Sequence, residues 1–339
     1  MAKYILVDAL NLFHRAKHVV RGDIDTRIGM SLHITFNALR KSWRDLGGDH
    51  IVFCLEGRSW RKTYSSHYKA NRAIAQLKKS PREREDDELF FEAFNDFSQY
   101  FLDKTNSTVL QCPTAEADDL IAMWIDLHPE DDHVIVSSDS DFMQLLAPNV
   151  EIYNGVSNQH ITLQGFYDDN GKPIIDKKTN LPKTPPDPEW LLFEKCVRGD
   201  KSDNIFPAYP GARVKGSKNR TGMAEAFEDR EAGGFNWNNF MLQRWEDVDG
   251  NEHVVKDRYE QNRHLIDLRA QPAEIREALV ESIVTEVRKD RVQGVGVHFL
   301  KFCTKWALNR ISKYPDEFAR MLNANYKGSL LQVAEEIED

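Results

Sequence analysis

Val134-Ile-Val-Ser-Ser-Asp-Ser-Asp141 is a short apolar run that stops on two serines and then delivers two carboxylates. Three β-branched residues in succession read as a buried strand, and the loop beyond the C-terminal end of such a strand is where open α/β sheets carry their sites. The same arrangement recurs twice: Tyr4-Ile-Leu-Val7 precedes Asp8, and Ile51-Val-Phe-Cys-Leu55 precedes Glu56. A further cluster stands in Thr114-Ala-Glu-Ala-Asp-Asp-Leu-Ile-Ala122, where Glu116, Asp118 and Asp119 open a helix for which Thr114 is the expected N-cap. Any one of these acids alone reads as a solvated residue or as a charge favouring the positive end of a helix. Recurrence after several apolar strands argues instead for one shared crevice. Carboxylates crowded together raise one another's pKa unless a cation neutralises them, and oxygen ligands without nearby His or Cys favour Mg²⁺ or Mn²⁺ over zinc.

Outward from these runs, Tyr4–Val7, Ile51–Leu55, Val109–Gln111, Val134–Ser137 and Glu151–Tyr153 read as strands with helical stretches between them. That alternation describes an α/β fold with a mainly parallel twisted sheet, whose right-handed crossovers bring the carboxyl ends together. Asp169-Asn-Gly171 signals a hairpin turn, and Pro182-Lys-Thr-Pro-Pro-Asp-Pro188 a stiff connector into a helix from Glu189. Helical apolar spacing returns over 272–287 and 297–308, and 330–339 is amphipathic and acidic.

A chain of 339 residues with 41% apolar content has the material for a substantial core. Cys54, Cys112, Cys196 and Cys303 are scattered, which argues against a zinc ribbon or a disulfide framework and fits a reducing cytoplasm. No long apolar segment points to a signal peptide or a membrane span. The net charge of -9 argues against a nucleic-acid partner until its distribution is considered. Between Arg58 and Arg84, the basic residues Arg58, Arg61, Lys62, Lys69, Arg72, Lys78, Lys79, Arg82 and Arg84 face Glu83 as the sole acid. They are interleaved with Trp60, Tyr64, His67 and Tyr68, a mixture suited to gripping phosphates and stacking on the bases of a single strand. A solvated basic helix face is the alternative, and the position directly after Glu56 favours the first reading.

The order of Asp8, Leu55-Glu-Gly57, Trp60-Arg-Lys62, Tyr68-Lys-Ala-Asn-Arg72, Glu116-Ala-Asp-Asp119, Ser138-Asp-Ser-Asp141 and Gly199-Asp-Lys-Ser-Asp-Asn204 resembles the flap endonuclease and 5′-exonuclease superfamily. Within it, the chain is most similar to the ribonuclease H of T-even-like bacteriophages, and Tyr259–Leu268 extends the likeness past the DNA-binding helices. The resemblance implies a PIN-like nuclease core over 1–164 with a helical arch over 58–105, and a hairpin and Pro-rich connector over 165–188. It further implies a helix-three-turn-helix over 189–230 and a mainly helical C-terminal region over 231–339. The implied activity is divalent-metal-dependent 5′-3′ exonuclease and flap endonuclease cleavage with ribonuclease H activity, removing RNA primers and adjacent DNA or 5′ flaps in lagging-strand replication.

By the same resemblance, two Mg²⁺ ions would be held by Asp8, Glu56, Glu116, Asp118, Asp119, Asp139 and Asp141, with Asp200 and Asp203 supporting the second ion. The family pattern carries Asp where this chain has Glu56. Lys69 and Arg72 match the arch's catalytic basic positions, and Arg58, Arg61, Lys62, Tyr68, Lys78 and Lys79 share its nucleic-acid surface. Lys201, Lys215, Lys218 and Arg220 extend that surface into the helix-three-turn-helix, where glycine-rich turns offer amides to phosphate and loop carbonyls hold K⁺. Here Ile205–Arg220 is longer than the family's compact loop. The implied partners are branched or nicked DNA and RNA–DNA hybrid, with a single-stranded DNA-binding protein and a sliding clamp, for a monomer in the host cytoplasm of a phage. Two other readings share parts of the pattern. A PIN-like ribonuclease has the strand-end acids without the basic arch, and a noncatalytic branched-DNA-binding module keeps the basic surface around an inert acid site.

Overall fold

Parallel strands buried on both faces are built from near-continuous Val, Ile, Leu and Phe, which is how five runs of this chain read. The computed structural model describes residues 1–218, 220–328 and 330, the side chains of 15–19 excepted. The chain runs β1 (Lys3–Asp8), α1 (Ala9–Val19), α2 (Ile24–Leu46), β2 (His50–Leu55), α3 (Arg61–Tyr64), α4 (Ala70–Leu77), α5 (Pro81–Lys104), β3 (Thr108–Gln111), α6 (Ala117–Leu127), β4 (Asp132–Val136), β5 (Val150–Asn154), β6 (Gln159–Thr162) and β7 (Gly165–Tyr167). It continues through α7 (Pro188–Arg198), α8 (Met223–Glu228), α9 (Phe235–Met241), β8 (Arg244–Glu246), β9 (Glu252–Val254), α10 (Val255–Ile266), α11 (Ala273–Val287), α12 (Val295–Lys305) and α13 (Pro315–Leu322).

Strands β1 to β7 form one sheet in the order β3-β2-β1-β4-β5-β6-β7. The five expected strands are parallel, with Val7 opposite both Phe53 and Val136. Strands β6 and β7 add an antiparallel edge that was not expected from the sequence. The chain passes from β1 to β2 on one side and later places β4 on the other, so the order reverses at β1. That reversal leaves a crevice beyond the carboxyl ends of β1 and β4, which is where Asp8 and the serine-aspartate run fall.

The chain forms two compact units, each discontinuous: 1–59 with 79–186 and 272–339, and 60–78 with 187–271. This differs from the contiguous segments read from the sequence. Helix α5 begins at a capping box, with Ser80 and Glu83 bonding reciprocally and Pro81 in the first turn. It then turns Phe90, Phe94, Phe97 and Phe101 into the core of the first unit, so the arch does not extend through 105. Phe299 and Phe302 of α12 and Phe318 of α13 enter that same core beside Phe36, making 272–322 part of the first unit rather than a separate region.

The second unit has its own core, in which Phe193, Val197, Tyr209, Met223, Phe240 and Val255 are buried. It also contains the β8–β9 hairpin, where a mainly helical region was expected. Among the described residues no helix is long and apolar enough to cross a membrane. The amphipathic stretch noted over 330–339 lies, beyond residue 330, outside the described residues.

Candidate active site

Asp8 ends β1 and caps α1: its Oδ1 accepts the Asn11 amide at 3.3 Å, and its Oδ2 accepts the Ser137 hydroxyl at 2.9 Å. Ser137 follows β4, so this bond crosses the switch point and fixes the carboxylate from both sides. The Ser137 oxygen in turn accepts the Asp139 amide at 3.1 Å, and Asp139 Oδ1 accepts the Asp141 amide at 3.0 Å, capping a short 3₁₀ turn over Ser140–Leu145. Asn11 adds a second tie, since its Oδ1 accepts from the Ser138 amide and hydroxyl at 3.3 and 2.8 Å. Asp8, Asp139 and Asp141 therefore belong to one hydrogen-bonded relay.

Beyond β2, Glu56 Oε2 accepts the Ala117 amide at 3.3 Å, at the first turn of α6. Glu116, not Thr114, is the N-cap of that helix, because the Asp119 carboxylate reaches back to the Glu116 amide at 3.1 Å. Glu116 Oε2 accepts the Ser59 hydroxyl at 2.9 Å, and both Glu116 and Asp119 are buried. Gly57 allows this approach: its amide donates to the Ala115 carbonyl at 3.0 Å, and a Cβ there would lie 1.9 Å from the Cys112 carbonyl oxygen.

Electrostatics join the groups. Asp8 is pushed up to about 7, first by burial and then by the Glu56 charge, with Asp139 adding to the rise and Ser137 and Asn11 opposing it. The buried Cys54 thiol in β2 is raised by burial and then by Asp8, Asp118 and Glu56, so three carboxylates act on one point near the strand end. Among the described residues no three His, Cys, Asp or Glu side chains close into an ion cage as they stand. The donor chemistry nonetheless fits a hard divalent cation: the acids are oxygen ligands, held by amides and hydroxyls, and their mutual repulsion is what a cation would neutralise. Asn11, Ser59 and Ser137 were not singled out from the sequence; polar residues three after Asp8 and directly after β4 were the available signals.

Residues 3–171 match the family described as 5′-3′ exonuclease, N-terminal resolvase-like domain. The chain belongs to the flap endonuclease and 5′-3′ exonuclease superfamily. It is 28% identical over 204 residues to the flap endonuclease of Escherichia phage T5, covering 59% of this chain and 63% of that protein. It is 27% identical to the flap endonuclease Xni of Shewanella loihica, covering 48% of this chain and 60% of Xni. With the DNA polymerase I of Rhizobium leguminosarum it shares 28% identity over 53% of this chain and 15% of the polymerase. The match thus spans less than two thirds of each of these relatives. A crystal structure of the T5 flap endonuclease, described as a complex with DNA and metal ions, has the same fold at a TM-score of 0.55. It is 19% identical to this chain, covering 94% of this chain and 100% of that one.

Most of the basic residues expected to form a nucleic-acid surface lie in the second unit. Lys62, Lys78, Lys201, Lys215, Lys218 and Arg220 are exposed there, and Arg58 is exposed in the first unit. Lys79, also in the first unit, pairs with Asp87. Arg61 and Tyr68 depart from the expected surface. Arg61 is buried, its Nε donates to the Leu265 carbonyl at 2.9 Å, and its guanidinium stacks on Trp60; Tyr68 is 4% exposed. A long amphipathic side chain that finds an internal carbonyl and an aromatic face has no need of solvent. In the expected duplex-binding loop, the Gly216 and Gly222 amides both donate to the Glu225 carboxylate at 3.0 Å, so they are engaged internally rather than open to phosphate. Arg220 stands over the Tyr209 ring, 4.9 Å from its centroid.

Asp200 and Asp203 are both ion-paired within the second unit. Asp200 pairs with Lys195 at 2.7 Å and accepts the Ser202 amide and hydroxyl, each at 2.7 Å. Burial pushes its carboxyl up, but Lys195 and Ser202 outweigh that and hold it below the ordinary value. Asp203 pairs with Arg72 at 2.7 Å and Lys69 at 3.8 Å. Gly199 before them sits at φ +71, and a Cβ would meet the Ile205 carbonyl oxygen at 2.4 Å, so glycine is required to close this turn.

Proposed function

We propose that the chain is a divalent-cation-dependent, structure-selective 5′ nuclease that cleaves RNA primers, adjacent DNA and 5′ flaps during lagging-strand replication in the cytoplasm of a phage host. The observation that carries this reading is the Asp8–Ser137–Asp139–Asp141 relay at the point where the sheet order reverses, with Glu116 and Asp119 in the capping box of α6 and Glu56, beyond β2, bonded to the first turn of that helix. Superfamily membership and the DNA named in the T5 structure support the substrate class.

Asp8, Glu56, Glu116, Asp118, Asp119, Asp139 and Asp141 would hold the ions. Two Mg²⁺ ions bound by them would polarise the phosphate and neutralise the charge that develops on the attacking and leaving oxygens. The chain's own residues prepare that site by orientation. Ser137 and Asn11 hold Asp8, Ser59 holds Glu116, and the capping box holds Asp119, so little reorganisation is left for the reaction. Lys69 and Arg72 bind strand phosphate as cations, Arg72 through a planar fork.

The test is purified full-length chain with Mg²⁺ and labelled 5′-flap, nicked RNA–DNA and single-stranded RNA substrates. Cleavage at the flap junction and of the RNA strand at the nick is expected. Asp141→Asn should bind DNA and fold as the parent does but lose activity by roughly 10²-fold or more, a loss of several kcal/mol of charge stabilisation. Cleavage of single-stranded RNA alone would indicate the PIN-like ribonuclease, and binding without cleavage the inert module.

Glu56 supplies a sharper check on the ligand set. Its longer arm reaches the α6 amide, and charge matters more than reach for a group that can ligate through water. Glu56→Gln is therefore expected to raise the Mg²⁺ requirement and lower the rate more than Glu56→Asp does, in an Mg²⁺ titration at saturating DNA. A parental rate for Gln beside an inactive Asp would remove Glu56 from the set.

A further inference from the structure

A cavity of about 240 Å³ opens within the second unit, between the residues before α4, the turn after Asp203 and α10. Tyr64, His67 and Phe206 line it with rings, and α10 lends it Arg258, Gln261 and Asn262. Tyr64 and Phe206 are 50% and 57% exposed, and His67 meets Phe206 near a right angle with ring centroids 6.1 Å apart. Pockets that enclose a drug-sized ligand start at roughly 300 Å³, so this one has room for a single planar ring whose attachments stay outside. Phe206 stands in Ile205–Arg220, the stretch in which this chain departs from the family's compact loop.

The walls are tied in place. Buried Asn262 donates from Nδ2 to the Cys196 and Phe206 carbonyls at 2.8 Å each, and Asn204 Nδ2 donates to the His67 carbonyl at 2.8 Å. Arg258 is aimed by a relay. Its Nε donates to His253 Nδ1 at 3.3 Å, and because a guanidinium cannot accept, the His253 proton sits on Nε2, 2.7 Å from Asp247 Oδ2. The His253 ring also packs on Trp245, with 4.6 Å between centroids. Bonds from His253 and then Asn251 hold the Asp247 carboxyl well below its ordinary value, so it remains an acceptor at neutral pH. Among the described residues Arg258 bonds to His253 and Gln261 and to no carboxylate, which leaves its charge for an incoming anion.

Open ring faces beside a positioned, unneutralised guanidinium suit stacking on a base and gripping its phosphate. We propose that the cavity receives one unpaired nucleotide of a strand, its base stacked on Phe206 and Tyr64 and its phosphate held by Arg258. This ligand class rests on the proposed nuclease function. His67 stands two residues before Lys69, so the cavity adjoins the start of α4, where Lys69 and Arg72 are assigned to strand phosphate.

The experiment uses the full chain in EDTA and a DNA hairpin with a single-stranded 5′ tail, 2-aminopurine being placed in turn at each tail position. Binding to the parent is expected to quench the fluorescence at one position by stacking. Phe206→Ala should abolish that quench and raise Kd roughly 10-fold, the scale of one lost base stack, whereas Phe206→Trp retains both. Arg258→Ala should lower the slope of log affinity against log salt by roughly 0.7, the share of one phosphate contact on a single strand. Parental quenching and affinity in Phe206→Ala and Arg258→Ala would overturn the inference and leave the nuclease function standing. Quenching of free 2-aminopurine deoxyribonucleotide at micromolar concentration would overturn the assignment to a strand. A parent that binds no tail sinks both readings, while one that binds with the expected quench but cleaves nothing in Mg²⁺ sinks the nuclease function alone.

Discussion

Replacing Asp8 by Asn is expected to stabilise the metal-free protein at about pH 8 while lowering cleavage by roughly 10³-fold, since one change removes both a buried charge and a cation ligand. Asp8 is 3% exposed and its carboxyl is raised to about 7, chiefly by burial and then by Glu56. An acid raised in the folded state weakens the fold wherever it would be ionised in the unfolded chain. The penalty is absent below about pH 4, grows from there toward pH 7 and is complete above it, at a size of about 4 kcal/mol. Asn keeps an oxygen for the Asn11 amide and carries no charge. Thermal unfolding in EDTA should show Asp8→Asn melting above the parent at about pH 8 and converging with it at about pH 4. A parent that melts at the same temperature as the variant at both pH values would show that Asp8 carries no such penalty.

Gly57→Ala is expected to cost more than about 4 kcal/mol, which puts it among the few substitutions that unfold a domain outright. The added methyl would lie 1.9 Å from the Cys112 carbonyl oxygen and 2.6 Å from that of Ala115, and both are backbone atoms that cannot swing aside. Relief requires the 112–115 turn to move, and with it Glu116 and the start of α6. Urea unfolding of Gly57→Ala should show a greatly lowered midpoint or no folded baseline. A midpoint within about 1 kcal/mol of the parent would show that the turn adapts, and the close approach would lose its structural meaning.

The strands that build the crevice were legible because each is a buried apolar run ended by an acid, and such runs leave a local trace. Strands β6 and β7 left none. Gln159–Thr162 buries only Ile161 and Gly165–Tyr167 only Gly165, so neither has the alternation that marks a half-buried strand. The β8–β9 hairpin did carry a turn signal, Asp249-Gly250, but its flanks Arg244-Trp-Glu246 and Glu252-His-Val254 are too polar to read as strands.

At the site, the acids were visible and their partners were not. Ser137 bonding Asp8 and Ser59 bonding Glu116 join residues far apart in the chain, and only the sheet order creates those neighbours. Charge counting likewise included Arg61 in the basic stripe. Sequence reports that a guanidinium is present, while the fold decides that it meets the Leu265 carbonyl instead of solvent.

The first unit is completed by a part of the chain made long after its sheet. Phe36, Phe97 and Phe101 emerge early in synthesis, yet the Phe299, Phe302 and Phe318 side chains that share their core come from beyond residue 272. During translation, the sheet and α5 must therefore wait with an uncovered aromatic face while the whole of 187–271 is produced. Contacts so distant in sequence are slow to close, and an exposed apolar face in the interval invites association between nascent chains. A chain stopped after Gln271 would retain every carboxylate of the site and the complete second unit, and would still be expected to aggregate.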